Sequence, residues 1–141
     1  MQYLSLTQAL NIRDSNDLTD GDWHWGALDW THLTLLESEG SLWGDYGIRR
    51  DQVVPHAPGR PRLNVANHIR ALLDMLSLGQ FPQANGMRDD FIDNESLNPE
   101  IFYHVSKMRS LKNWPQIDAF MQQEYLGEWR RYKDGTASID A

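Results

Sequence analysis

No cysteine occurs in this chain, which excludes disulfides, thiolate nucleophiles and cysteine-based zinc sites together. No apolar run approaches the ~18–20 residues that span a bilayer. The opening MQYLSLTQALNIRD has neither the basic start nor the long apolar stretch of a secretory signal. These absences predict a cytoplasmic protein that does not engage a membrane. Signatures of chemistry are missing as well: there is no G-x-x-x-x-G-K-[ST] phosphate cradle, no G-x-S-x-G elbow and no H-E-x-x-H. Asp89, Asp90 and Asp93 do not follow the EF-hand order. No cofactor is expected, and the balance leans away from an enzyme.

Basic residues are scarce where acids are dense. Through Ile48 a single base, Arg13, faces eight acids, a surplus equal to the whole net charge of −7. From Arg49 onward, twelve bases balance twelve acids. Trp23, Trp25, Trp30 and Trp43 lie inside the acidic stretch. A charge asymmetry of this kind points to an interaction surface, and aromatics are the usual anchors of such surfaces.

With 141 residues and a 40% hydrophobic fraction, the chain is long and apolar enough to fold as one domain, residues 1–141. The fold class expected is mostly α: four to five helices, with a short irregular or β segment around residues 41–62. Ser5-Leu6-Thr7-Gln8 has the form of a capping box and opens a helix to about Ile12. Asp29 is placed to cap a helix from Trp30 to Glu37. Residues 49–62, with three prolines and a glycine between Pro55 and Arg62, read as an Arg/Pro loop.

The helical core is assigned to residues 63–133. Its first helix is predicted over Leu63–Leu78, with Val65, Ala66, Ile69, Leu72, Leu73 and Leu76 on one stripe, Asn67, Arg70, Asp74 and Ser77 facing away, and Gly79 as the stop. Residues 80–97 read as a polar loop. Asn98-Pro99-Glu100 opens the next helix, with Asn98 as its cap, burying Ile101, Phe102, Val105 and Met108. Trp114-Pro115 breaks the chain before a last helix burying Ile117, Phe120, Met121, Tyr125 and Trp129. Residues 134–141 are expected to fray.

Three functional readings follow. The first is a non-enzymatic acidic protein-binding module (an inhibitor, immunity-type or regulatory protein) that engages a basic partner through Trp23, Trp25, Asp22, Asp29, Trp43 and Asp45. The second is a nucleic-acid-associated protein using the Arg49–Arg70 segment, with Arg49, Arg50, Arg60 and Arg62 as phosphate contacts. Those arginines serve equally well to neutralise the acidic third. The third is a metal-dependent hydrolase in which Asp22, His24, Asp29 and His32 supply oxygen and nitrogen ligands. No metal is expected; were one bound, His24 and His32 are its candidate ligands. His68 and His104 lie beside apolar stripes and read as core-boundary residues.

Overall fold

A computed structural model describes residues 1–13 and 28–140 of the chain. Its architecture is mixed α/β and mostly helical, with about half of the described residues in helix and 14% in strand. The expectation of a mostly α chain therefore holds only in part. In place of a short β or irregular segment there is a four-stranded sheet, ordered β2-β1-β4-β3.

The strands are β1 (Gln2–Leu4), β2 (Leu35–Glu37), β3 (Ile48–Val53) and β4 (Arg62–Ala66). Central β1 runs antiparallel to β2, with Tyr3 opposite Leu36, and parallel to β4, with Leu4 opposite Val65. β3 and β4 form an antiparallel hairpin around the proline-rich turn, interrupted by an irregularity between Arg49 and Gln52. The proline-rich turn interrupts the ladder only over residues 54–61; Val53 and Arg62 on either side pair across it.

Six α-helices are found among the described residues, more than the four to five expected: α1 (Leu6–Leu10), α2 (His68–Ser77), α3 (Phe81–Ala84), α4 (Asn98–Ser106), α5 (Trp114–Tyr125) and α6 (Gly127–Asp140). Residues 80–97 are not a plain loop, because α3, a π turn at Met87–Phe91 and a 3-10 turn at Glu95–Leu97 occupy them.

Several sequence expectations are corrected. No helix covers Trp30 to Glu37; the segment turns and then joins the sheet as β2. Leu63–Ala66 belong to β4, not to the helix that follows, since a short buried apolar run has no period to separate the two states. Asn67 marks the change, its side chain accepting the Arg70 backbone N–H at 2.8 Å. Ser5 and Gln8 make no capping box. Ser5 Oγ donates to Asp74 Oδ2 at 2.7 Å, while Gln8 donates to the carbonyls of Asp29 and His32 and accepts from Thr34 N–H at 2.8 Å. Gln8 thus holds the incoming loop and Ser5 ties the chain to α2, where a local cap was expected.

Asn98 lies inside the first turn of α4 and donates to Glu128 Oε2 at 2.7 Å. Trp114 starts α5 despite preceding a proline; Asn113 beside it donates to the Leu76 and Ser77 carbonyls, a tertiary tie that outweighs the local bias. The predicted last helix is two, divided at Leu126 by a left-handed φ of 54°. α6 continues to Asp140, where fraying was expected. Among the described residues, no helix is long and apolar enough to cross a membrane.

The core gathers Tyr3, Leu4 and Val65 from the sheet with the inner faces of α2, α4, α5 and α6. The apolar positions expected on α4, α5 and α6 are all buried. Phe102 anchors their junction, meeting Tyr125 edge-on at 5.0 Å and Trp129 at 5.4 Å. α2 is buried on all sides from His68 to Leu76, including Arg70 and Asp74, which the stripe pattern had placed outside.

Candidate functional site

Arg70 organises the region where the acidic third meets the helices. Its side chain has no solvent exposure, so every N–H needs an acceptor. Nε donates to Asp74 Oδ1 at 3.1 Å, one helical turn on. One terminal nitrogen donates to the carbonyls of Gly44 and Tyr46 at 2.8 and 2.7 Å. The other reaches Tyr3 Oη at 3.0 Å and Ser41 Oγ at 3.1 Å. Asp74 Oδ2 also accepts from Tyr3 Oη at 2.7 Å. Burial first, and then the Asp74 charge, push the Tyr3 phenol well above its usual pKa. The network closes on itself: donors and acceptors are matched, and the guanidinium lies 5.0 Å from the Tyr3 ring and 5.5 Å from the Trp43 ring.

The network immobilises the loop between β2 and β3. Gly47 passes so close to α2 that an added Cβ would lie 2.7 Å from Arg70 Cβ and 2.9 Å from Asn67 Oδ1, and its φ is +74°. Both conditions call for glycine. On α4, Tyr46 stacks on His104 with ring centroids 3.7 Å apart and donates to Glu100. Trp43 Nε1 donates to the His104 carbonyl at 3.0 Å. Trp43 is thus not a protruding anchor: it is buried, and it fixes the loop to the helices.

The end of β2 and that loop hold the acids out. Glu37, Glu39 and Asp45 are all exposed. Glu37 accepts from the Met1 amino group, a bond that lowers its pKa. Asp45 is held by Ser38 Oγ at 2.7 Å and has Arg50 at 3.8 Å. Asp29 lies earlier, where its carboxylate accepts from Thr31 and pairs with His32 Nδ1 at 2.8 Å. Bonds from the Thr31 side chain, and then from His32, bring its pKa down to about 2. Both residues are exposed, and Asp29 caps a turn, not the helix foreseen.

Beside the loop, a groove of about 350 Å³ runs between the sheet and the C-terminal end of α2. Leu36, Leu42, Trp43, Leu78 and Leu111 line it, Tyr3 and Asp74 lie in its floor, and Glu37 stands on its margin. Leu42 is 42% exposed and Leu78 55%, so two large apolar side chains meet solvent at one opening. Sequence reasoning missed this groove, because its walls come from four separate segments. It also missed the Arg70–Asp74 pair. An i,i+4 cation and acid in a helix apolar on both sides of them was the available signal.

The arginines divide. Arg62 Nε meets Asp51 Oδ1 at 3.2 Å, and Arg50 faces Asp45. Arg60 is exposed in the hairpin turn, while Arg49 is half-buried on β3. Arg50, Asp51 and Arg62 share an open depression. With Arg70 enclosed, the Arg49–Arg70 segment cannot present its five arginines as one patch.

Asp22, His24, Trp23 and Trp25 lie outside the described residues. Among the described residues no group of three or more His, Asp or Glu side chains is placed to hold a metal. His68 and His104 are both buried. His68 Nε2 bonds the Ile12 carbonyl at 2.9 Å. His104 Nδ1 has no hydrogen-bond partner, and desolvation, followed by the Lys107 charge, lowers its pKa. Comparison with protein-family models, curated proteins and solved structures gives no match.

Proposed function

We propose that this protein is a non-enzymatic, cytoplasmic protein-binding module, of the inhibitory, immunity-type or regulatory kind, that engages a basic partner. One observation carries the reading: the whole net negative charge is confined to residues 1–48, and the described carboxylates there, Asp29, Glu37, Glu39 and Asp45, are all exposed. Exposed charge of one sign accelerates encounter with a complementary surface and rejects like-charged competitors. The depressed pKa of Asp29 keeps it ionised well below neutrality. The rival reading, nucleic-acid binding through Arg49–Arg70, has less support, since Arg70 is enclosed and Arg50 and Arg62 each face a carboxylate.

Affinity capture on the immobilised chain tests the reading. At low ionic strength a basic protein should be retained, and salt should release it. The double variant Glu39→Lys/Asp45→Asn should retain much less; Asp45→Asn keeps an acceptor for Ser38. If nothing is retained at low salt, or if the variant retains the same protein equally well, the reading is wrong.

A further inference from the structure

Resting on that reading, we infer that the groove between β2, the loop after it and the C-terminal end of α2 seats a large apolar side chain from a partner segment whose neighbouring residues are basic. Its volume, about 350 Å³, is at the small end of the ~300–1,000 Å³ usual for ligand pockets, which suits one or two side chains.

The floor decides the polarity of the occupant. Asp74 and Tyr3 line the groove, yet their polar atoms are already engaged. Asp74 Oδ1 is taken by Arg70, and Oδ2 by Tyr3 and Ser5. Tyr3 Oη both donates to Asp74 and accepts from Arg70. Ser77 Oγ donates to the Asp74 carbonyl at 2.8 Å. A polar occupant would lose its hydration and find few groups to replace it. An apolar one would cover Leu42 and Leu78, which water now meets at the opening.

The margin decides the charge of the flanking residues. Glu37 lines the groove, and Glu39 and Asp45 act with it on the Met1 amino group; these three carboxylates outnumber the two cations beside them, Met1 on Glu37 and Arg50 on Asp45. A segment lying across the opening therefore passes through a negative field, which favours lysine or arginine beside the apolar anchor.

Three labelled short peptides test this by fluorescence anisotropy at low salt: one alternating leucine with lysine, one with serine replacing leucine, and one with glutamate replacing lysine. The leucine/lysine peptide should bind, with the other two at least tenfold weaker. The variant Leu42→Gln/Leu78→Gln, altered only at exposed positions, should keep its melting temperature and lose about tenfold in affinity. In heteronuclear NMR the bound peptide should shift signals of Leu36, Leu78 and Leu111. Equal binding of the leucine/lysine and serine/lysine peptides overturns the groove and leaves the acidic module standing, as does unchanged binding by the double variant. Binding of the leucine/glutamate peptide as tight as that of leucine/lysine, or no binding by either lysine peptide, overturns both.

Discussion

Arg70 and Arg62 carry the same side chain in opposite circumstances. Arg70 is fully enclosed and donates to one carboxylate, two carbonyls and two hydroxyls. Arg62 is 59% exposed and meets one carboxylate that is itself 73% exposed. A buried charge must be matched donor by donor, or it opposes folding. An exposed pair is screened by water and contributes little. Charge therefore matters to the fold in the enclosed set, while the exposed pairs, Arg62 with Asp51 and Arg50 with Asp45, add little to it.

The largest effect should come from breaking the enclosed set. Arg70→Ala leaves Asp74 buried without its cation and should cost about 3–5 kcal/mol. That corresponds to a fall in melting temperature on the order of 10 °C. The double change Arg70→Met/Asp74→Leu removes both charges and should lose less than Arg70→Ala alone; a greater loss would show that the pair itself, not its matching, holds the loop. Gly47→Ala attacks the same set through the backbone, and the contact with Arg70 Cβ together with the positive φ should cost more than ~1 kcal/mol. Thermal melts measure all three.

A smaller effect depends on pH. The folded-state pKa of His104 is lowered by desolvation first and by Lys107 next; Arg70 also lowers it, Glu100 opposes them, and Tyr46 stacks on the ring. Above about pH 6.5 the ring is neutral whether the chain is folded or not. As pH falls below that value, the unfolded chain takes up a proton that the folded one refuses, so stability declines until the folded-state pKa is reached. Melts between about pH 7 and pH 5 should show a steeper decline for the wild type than for His104→Asn. Parallel declines would contradict this. The smallest effect is expected at the exposed pair: Arg62→Ala should change stability by no more than about 0.5 kcal/mol, and a loss comparable to that of Arg70→Ala would erase the contrast between the two arginines.

Legibility in the sequence followed the range of the interactions. Ile101, Phe102, Val105 and Met108 recur at helical spacing, and their helix and its buried face were readable from pattern alone. β1 and β2 were not, because each is three residues long, too short to display a period, and their pairing joins Tyr3 to Leu36 across the chain. Arg70 and Asp74 misled in the other direction. Charge usually marks a solvated face, and only the carbonyls of Gly44 and Tyr46, brought in by the loop, make burial tolerable. At the candidate site, the exposed acids Asp29 and Asp45 could be foreseen from composition. Trp43 was foreseen as an anchor on the surface and is instead enclosed beside His104. The groove lies among Leu36, Leu42, Leu78 and Leu111, distant in sequence, and no local pattern announces it.

If, as proposed, the exposed carboxylates serve a partner, the salt dependence of a captured partner's dissociation constant will reveal it. It should be measured for the wild type and for Glu39→Lys/Asp45→Asn, after melts establish that both are folded. Wild-type affinity should fall steeply as ionic strength rises, and the variant at low salt should already be about as weak as the wild type at high salt, with an unchanged melting temperature. Equal affinity and equal salt dependence in the two proteins would contradict the proposal.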